Sequence, residues 1–246
     1  MNIRIIRVEL PGSIAGFTAR EPGGLYAGNV ANHVGDRPAN VRRWRERLEI
    51  ETGSLAWMNQ VHGTTIVPAQ TDAVPTADGL TLRPGQGAAV MVADCVPLLI
   101  SGETDDDRLG AVVHVGRAGL LGGIVDAAID IFQVAGITDI SAVIGPAICG
   151  ACYEVGEDLA VEAEQLLPGS SCTTRWGTPG IDIPGTVARI LTNRGVRVDT
   201  LDICTMEDER FFSHRREPGG TGRFAGFLVL DRDTPSRLPA GGDPLL

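Results

Sequence analysis

Glycine and proline interrupt this chain every few residues, with 32 Gly and 15 Pro among 246 residues. Both residues favour turns and end regular structure, so the sequence predicts short elements and few long helices. Four segments are predicted helices, over residues 37–50, 119–135, 156–167 and 181–193. Shorter segments rich in Val and Ile are predicted strands, over residues 64–67, 88–92, 97–100, 109–114, 141–144, 201–204 and 224–230.

The predicted strands and helices are interspersed without strict alternation. This order favours an α+β fold over a doubly wound parallel sheet. A chain of this length buries roughly 70–75% of its unfolded surface, which is enough for one sizeable core. We therefore expect a single domain over residues 1–230, followed by a loosely ordered tail rich in Pro and Gly over residues 231–246.

Charge and cysteine content narrow the possible partners and surroundings. The formal charge is −10, from 21 basic and 31 acidic residues, and an acidic surface argues against nucleic-acid and membrane partners. The five cysteines match no disulfide framework, and the N-terminal segment lacks the apolar core of a signal peptide. We therefore expect reduced thiols in a cytoplasmic protein, where a cysteine packs, binds metal or performs chemistry.

Histidine is scarce, and two of the four histidines stand at predicted turns or strand ends beside glycines. His62 directly precedes Gly63, and His114 ends an apolar strand. Cys95 occupies a similar position, since Pro97 interrupts an apolar run two residues later. Functional sites are usually built where strand ends open into loops. The three side chains are therefore candidates for a single site.

Two imidazoles and one thiolate form a donor set for zinc that leaves a fourth position open for water. A water in that position is acidified to near neutrality and can attack an electrophilic carbon. However, the separations of 33 and 19 residues between the three candidates match no short zinc motif. Spacing alone leaves a second interpretation open, in which Cys95 packs as a small apolar side chain and each histidine donates to a nearby carbonyl.

Four segments that include these residues resemble the YfiH family, also called the laccase-domain, polyphenol-oxidase-like or peptidoglycan-editing-factor family. The segments are residues 59–63 (NQVHG) with 77–79 (ADG), 93–99 (ADCVPLL), 113–119 (VHVGRAG) and 145–156 (GPAICGACYEVG). Supporting stretches lie at residues 15–20, 29, 33–36, 211–216 and 221–223. The resemblance runs in order from about residue 14 to about residue 230, so the chain is identified as a member of this family.

The resemblance implies a four-layer α/β/β/α fold related to a group of cysteine hydrolases. It also implies that His62, Cys95 and His114 hold the metal and act as the catalytic residues, with zinc expected and copper as the alternative. Members of the family resemble zinc-dependent enzymes that carry out phosphorolysis of adenosine, inosine or methylthioadenosine and deaminate adenosine. The implied partners are therefore a purine nucleoside and phosphate.

Two segments depart from the family pattern, and one of them is the place before Tyr153, where the usual pair of cysteines reads Ala151-Cys152. After the second metal histidine the family usually has His-Ala-Gly-Trp-Arg-Gly, whereas residues 114–119 read His-Val-Gly-Arg-Ala-Gly. Arg117 thus replaces the tryptophan and Ala118 replaces the arginine. A planar, permanently charged guanidinium beside a metal suits phosphate or carboxylate. Because Arg117 leaves the backbone one position earlier than the usual arginine, the choice of substrate stays open.

Six residues are candidates for substrate contact, although turn chemistry, structural hydrogen bonds or a solvated hairpin explain all of them except Arg117 as well. They are Arg20, Asn29, Arg117, Tyr153, Glu154 and Arg223. Asp94 either orients an imidazole or caps a turn. Cys149 and Cys152 form a Cys-x-x-Cys motif, but neither a zinc partner pair nor a thioredoxin-like pattern accompanies it. We expect Cys152 to be buried and Cys149 to lie near the site.

The sequence supports a ranked set of functions. The first is a zinc-dependent purine nucleoside phosphorylase that also deaminates adenosine. The second is an amidohydrolase that edits peptidoglycan precursors. A copper-dependent polyphenol oxidase ranks third, because four histidines are few for a multicopper enzyme. A catalytically silent nucleoside-binding protein ranks fourth, and the changed residues Arg117 and Ala118 are compatible with it.

Overall fold

The computed structural model describes residues 3–104 and 107–232, so nearly all of the predicted tail over residues 231–246 lies outside the described residues. The helices are α1 (Pro38–Thr52), α2 (Arg117–Leu121), α3 (Ile124–Val134), α4 (Glu157–Leu166) and α5 (Ile183–Asn193). The strands are β1 (Ile5–Val8), β2 (Ser13–Thr18), β3 (Ile66–Pro68), β4 (Gly79–Leu82), β5 (Gly87–Val92), β6 (Val96–Glu103), β7 (Arg108–Val115), β8 (Asp139–Ile144), β9 (Ser171–Thr173), β10 (Pro179–Ile181), β11 (Arg197–Thr200) and β12 (Phe224–Leu230).

Two sheets hold most of the described strands. The first has four strands in the order β1-β2-β12-β5, and all its neighbours are antiparallel. The second has six strands in the order β11-β8-β6-β7-β4-β3. It is antiparallel at its centre and parallel at both edges, where β11 lies beside β8 and β3 beside β4. Strands β9 and β10 form a separate antiparallel ribbon.

The two sheets pack face to face. Their shared core joins Phe17 and Leu228 of the four-stranded sheet to Leu99 and Val112 of the six-stranded sheet. Every residue of β5 and β7 is buried, because both faces of each sheet are covered. Strands in this situation are apolar along their whole length instead of alternating with polar residues.

Helices cover the outer faces of both sheets. On one side, Phe132 of α3 and Val187 of α5 belong to the same core as Val113 of β7. On the other side, Leu48 of α1 packs in one cluster with Phe227 of β12. The order of layers is helix, sheet, sheet and helix, which confirms the predicted four-layer α+β fold.

Two predicted elements differ from the structure. The predicted helix over residues 119–135 is divided into α2 and α3, because Gly122 and Gly123 separate them and Gly123 has a φ of 87°, a left-handed conformation that favours glycine. The predicted strand over residues 201–204 is wrong, since β11 ends at Thr200. The segment that follows makes only an isolated bridge between Cys204 and Ala147.

Residues at the N-termini of α1 and α5 favour the start of a helix. Both α1 and α5 have a proline in their first turn, where the missing N–H group costs no helical hydrogen bond. Asp182 caps α5 by accepting a hydrogen bond from the Gly185 N–H group at 3.1 Å. In the part of the chain that the structure describes, no helix has both the length and the apolar character that a bilayer crossing requires.

Candidate metal centre

His62, Cys95 and His114 come from three separate segments and converge on one point, here called the His–Cys–His centre. His62 lies in the loop before β3, Cys95 in the short connection between β5 and β6, and His114 near the end of β7. Their donor atoms lie within 4.8 Å of one another. Cys95 Sγ is 3.8 Å from His62 Nε2, and the two imidazole centroids are 4.7 Å apart. The structure thus brings together the three residues selected from the sequence.

Strand pairing explains this convergence. In the antiparallel pair of β6 and β7, Pro97 is the partner of His114, which places Cys95 beside the end of β7. The loop that carries His62 is tied to β5, because the Gln60 side-chain amide exchanges two hydrogen bonds of 2.8 Å with the backbone of Met91. Residues far apart in sequence therefore meet at one end of the sheets.

Two residues at the centre have a left-handed backbone. His62 has a φ of 60° and Asp94 a φ of 86°, and no other non-glycine residue among those described has a positive φ. Such conformations cost about 1–3 kcal/mol each and concentrate at functional sites. The Asp94 carboxylate accepts hydrogen bonds from the Thr205 hydroxyl and the Arg215 N–H group, both at 2.7 Å. Asp94 therefore anchors the surrounding loops.

Asp78 is the carboxylate that orients an imidazole. It is fully buried, and it accepts hydrogen bonds from His114 Nδ1 at 2.8 Å and from the backbone N–H groups of His62 and Gly63 at 2.9 and 2.7 Å. Burial would raise the pKa of Asp78, but the hydrogen bonds from His114 and Gly63 outweigh it and lower the pKa. An ionised Asp78 keeps the proton of His114 on Nδ1 and leaves Nε2 for a metal.

A glycine keeps space for the donor atoms. A Cβ atom on Gly116 would lie 2.7 Å from His62 Cδ2 and 3.3 Å from Cys95 Sγ. Any other residue at this position would therefore displace the imidazole of His62. The backbone passes directly against the donor group, and only glycine permits this approach.

The charges of Cys95 and His114 depend on each other. Burial would raise the pKa of Cys95, but His114 and His62 outweigh it and lower the pKa to about 6. Burial would lower the pKa of His114, but the Cys95 thiolate and Asp78 outweigh it and raise the pKa to about 9. At neutral pH the metal-free centre therefore holds a thiolate beside an imidazolium, and a metal that binds there displaces the proton of His114 Nε2.

The donor set fits a borderline-soft cation such as zinc or copper. Bond lengths of about 2.0 Å to nitrogen and 2.3 Å to sulfur place these atoms about 3.5 Å apart around a tetrahedral ion. The observed distance from His62 Nε2 to Cys95 Sγ is 3.8 Å. The three residues thus form a metal-binding group that leaves one coordination position to solvent or substrate.

The His–Cys–His centre faces a cavity of about 440 Å³, a size typical of small-molecule sites. Its wall has arginines, apolar side chains and neutral polar groups, among them Arg117, Arg215, Arg223, Met91, Ile148, Tyr153, Ile183, His33, Gln60 and His214. A groove of about 870 Å³ around Gln86 is larger, but neither histidine nor cysteine is among its described lining residues. Size alone therefore does not identify the site.

The six predicted substrate contacts divide into two groups. The members that line the cavity are Arg117, Tyr153 and Arg223. The others lie elsewhere: Arg20 is ion-paired with Glu217 at 2.6 Å, and buried Asn29 donates hydrogen bonds to the Ala31 carbonyl and to Asp36. Glu154 is exposed and its backbone forms a bridge to Gly180.

Several residues around the cavity were not selected from the sequence. Asp78 has the clearest signal, because it stands between Ala77 and Gly79 in one of the family-like segments, directly before a buried strand. His33 and His214 lie in the supporting family-like stretches 33–36 and 211–216, but nothing in their spacing relates them to Cys95. Burial and the nearby Arg223 lower the pKa of His33, so its imidazole is neutral at neutral pH.

The fold and the donor group together define a metal-binding α+β protein of four layers. The family model described as multi-copper polyphenol oxidoreductase laccase matches residues 14–231, and the chain belongs to this family. A protein of Mycobacterium tuberculosis named purine nucleoside phosphorylase is 40% identical over 245 residues, which cover 94% of each chain.

Solved structures agree with this assignment. A Neisseria meningitidis protein superposes with a TM-score of 0.83 at 32% identity and covers 93% of this chain and 99% of its own. The protein YfiH of Bacillus licheniformis gives a TM-score of 0.78 at 27% identity, with 89% of this chain and 93% of its own covered. The resemblance to the YfiH family is therefore confirmed.

Proposed function

We propose that this protein is a metal-dependent purine nucleoside phosphorylase. The observation that carries the proposal is the presence of Arg117, Arg215 and Arg223 in the cavity that the His–Cys–His centre faces. The names of its relatives in Mycobacterium tuberculosis and Deinococcus radiodurans, both called purine nucleoside phosphorylase, support it. A metal-binding group beside clustered cations suits a reaction in which phosphate attacks a neutral nucleoside.

Arg117 and Arg223 supply an anion-binding side. Within the described residues, neither guanidinium has a carboxylate within ion-pair distance. Arg223 Nη1 donates hydrogen bonds to the backbone carbonyls of Thr221 and Gly222, and its burial lowers its pKa. A guanidinium group that is not ion-paired with a carboxylate is suited to bind phosphate.

Another group of lining residues suits a purine base. Ile148 and Ile183 line it together with Tyr153, and the guanidinium of Arg215 lies over the Tyr153 ring at 5.2 Å. Arg215 also donates a hydrogen bond of 2.9 Å to the Glu154 carbonyl, which holds this stacked pair in place. An apolar and aromatic surface of this kind packs against a planar heterocycle.

Phosphorolysis then follows from the placement of these groups. An oxygen of phosphate attacks C1′ of the ribose while the C1′–N9 bond breaks, which yields ribose 1-phosphate. The base leaves with the bonding electrons and takes up the proton that hydrogen phosphate loses when its oxygen bonds to C1′. The arginines hold phosphate and offset its charge, and Asp78 keeps His114 oriented. A metal ion held by His62, Cys95 and His114 would supply Lewis acidity.

We further propose zinc as the metal, because two imidazoles and a thiolate with one open position are a donor set of catalytic zinc sites. Adenosine, inosine and methylthioadenosine are the proposed nucleosides. Adenosine deamination is the second candidate reaction, favoured by the open side of the centre, which water can reach. We place the protein in the reducing cytoplasm, since all five cysteines are unpaired.

Product analysis with and without phosphate tests the proposal. Zinc-loaded protein should release base and ribose 1-phosphate from inosine only when phosphate is present, and ammonia from adenosine without it. Cys95→Ser should lose both activities. Cys172→Ser is the matched control, because Cys172 Sγ donates to the Gly150 carbonyl outside the centre, and it should stay active.

Other outcomes would replace the proposal. Zinc-loaded wild type that binds adenosine and converts none of it would indicate a silent binding protein. Release of alanine or serine from a muramoyl precursor, with no action on nucleosides, would indicate the editing amidohydrolase. Oxidation of phenols by the copper-loaded protein alone would indicate a polyphenol oxidase.

A further inference from the structure

A second group of metal-binding side chains lies apart from the His–Cys–His centre. Donor atoms of Cys149, Cys152, Cys204 and Glu207 lie within 4.8 Å of one another, and the three cysteines are here called the three-cysteine cluster. Cys149 and Cys152 follow β8, whereas Cys204 and Glu207 follow β11, the parallel neighbour of β8. Because parallel strands end at the same edge of a sheet, the two halves of the group meet there.

The backbone around these cysteines is arranged as in a metal-binding turn. Cys149 and Cys152 have the two-residue separation common in zinc sites, and the Cys152 N–H group closes the turn on the Cys149 carbonyl at 2.9 Å. Cys204 Sγ accepts a hydrogen bond from the Cys149 N–H group at 3.4 Å. Such a backbone donor orients a sulfur ligand and stabilises its negative charge.

The donor atoms are close enough for one ion to contact all of them, since those of Cys149, Cys152, Cys204 and Glu207 lie within 4.8 Å of one another. Cys152 is 1% exposed, whereas Glu207 lies at the surface. The group is thus closed on its inner side and can be reached by an ion from its outer side.

Charge balance in the group requires cations. Three thiolates and a carboxylate carry four negative charges, of which a divalent ion neutralises two. Arg175 offsets a third, because its Nη1 lies 2.8 Å from Glu207 Oε1. The Arg175 N–H group also donates to the Ala151 carbonyl within the cysteine turn. The chain therefore places a compensating cation beside the proposed ligands.

We propose that Cys149, Cys152, Cys204 and Glu207 bind a second zinc ion. Three thiolates select zinc over magnesium or calcium, and four protein ligands complete a tetrahedral shell, as in structural zinc sites. This site could not be predicted from the sequence, because Cys204 lies 52 residues after Cys152 and belongs to no motif. The site is new with respect to the proposed phosphorolysis and independent of it.

The second ion stabilises the wall of the cavity. Ile148 and Tyr153 flank the cysteine turn on either side, and both line the cavity. The Ile148 N–H group donates a hydrogen bond of 2.9 Å to the Asp94 carbonyl, next to the ligand Cys95. An ion that holds the turn therefore also holds the wall against the His–Cys–His centre.

Zinc content per chain tests the proposal. After zinc loading and desalting, we expect two ions in the wild type, one in Cys95→Ser and one in Cys149→Ser/Cys204→Ser. Cys172→Ser is the matched control and should retain two, because Cys172 borders the same turn but is not one of the four proposed ligands. A wild type with one ion, kept in the double variant and lost in Cys95→Ser, would overturn the proposal.

A cobalt measurement covers the case in which the double variant does not fold. Cys95→Ser keeps all four proposed ligands and removes the only thiolate of the His–Cys–His centre. One equivalent of Co²⁺ should give it a thiolate charge-transfer band, and Glu207→Gln in this background should weaken Co²⁺ binding by about 10–100-fold. Absence of the band in Cys95→Ser would overturn the proposal. Neither readout depends on nucleoside turnover, so this proposal and the proposed function fail separately.

Discussion

The His–Cys–His centre and the three-cysteine cluster place the same thiol group in opposite surroundings. Burial acts in the same direction on both, toward a higher pKa. Beside His114 and His62 the pKa of Cys95 nevertheless falls to about 6. Burial, together with the hydrogen bond to Cys149, raises the pKa of Cys152 to about 12. The neighbouring charge therefore decides which thiol is ionised in the metal-free protein.

The two groups also differ in donor number and access. The centre has three protein donors and faces the cavity, whereas the cluster with Glu207 has four and lies behind the turn that carries Tyr153. Three donors with an open side suit catalysis, and four donors suit structure. Variants of the two groups should therefore affect turnover and stability differently.

The largest expected effect separates these two roles. Cys95→Ser should lower kcat/KM for inosine phosphorolysis by at least about 10³-fold with a smaller fall in Tm than the double variant described next, because a site with three protein donors binds its ion less tightly than one with four and so contributes less to folding. Cys149→Ser/Cys204→Ser should instead mainly lower Tm, because it removes an ion that stabilises the folded state. Steady-state kinetics and calorimetry measure both quantities. Equal losses of activity and of Tm in the two variants would contradict this division between a catalytic centre and a structural cluster.

The next effect tests how the centre is oriented. Asp78→Asn should weaken zinc binding at the centre by about 10–100-fold, since it removes the ionised acceptor that holds His114 Nδ1. Asp94→Asn is the matched control, because Asp94 hydrogen-bonds to Thr205 and Arg215 instead of a metal ligand. Asparagine also tolerates its left-handed backbone. Competition with a chelator measures the zinc affinity of both variants. An equal loss of affinity in Asp78→Asn and Asp94→Asn would show that Asp78 has no particular role in orienting His114.

A smaller effect concerns the open side of the centre. Arg117→Ala should raise the KM for phosphate by about 10-fold with a smaller change in the KM for inosine, as expected for a lost charged hydrogen bond. Arg20→Ala is the control, because Arg20 pairs with Glu217 away from the cavity. Kinetics at varied phosphate separate the two variants. An unchanged KM for phosphate in Arg117→Ala would assign anion binding to the other arginines.

The parts of the fold predicted from sequence are those in which local pattern and tertiary packing agree. Strands β5, β7 and β12 are apolar along nearly their whole length, and α1 has its apolar residues on one side, so each was predicted close to its bounds. Strands β1 and β2 had no predicted counterpart. Arg7 interrupts the apolar residues of β1 and Glu9 directly follows the strand, and the burial of β1 is only partial.

The residues of the candidate sites were also predicted only in part. His62, Cys95 and His114 stand at loops and strand ends and were selected by chemistry and family resemblance. Asp78 and Cys204 were not, because their roles follow from strand register. Asp78 directly precedes β4, which pairs with β7 and so carries its carboxylate to His114, and Cys204 meets Cys149 because β11 runs parallel to β8. The spacing of residues along a chain does not predict the order of the strands in a sheet.

The smallest expected effect is on the rate at which iodoacetamide alkylates the metal-free protein. This rate tests directly the difference in pKa between Cys95 and Cys152. The lowered pKa means that the Cys95 thiolate is present above about pH 6 and is lost below it. At pH 7 its ionised fraction exceeds that of an ordinary thiol with a pKa of 9.0 by about 90-fold, while its lower basicity slows attack about 15–30-fold. The net rate is then only about fivefold higher, so the decisive observation is the pH at which the alkylation rate reaches half its maximum, expected near pH 6.

Mass spectrometry should show modification of Cys95 with this midpoint and no modification of Cys152 at pH 7. A midpoint near pH 9 for Cys95 would mean that the imidazoles do not set its charge.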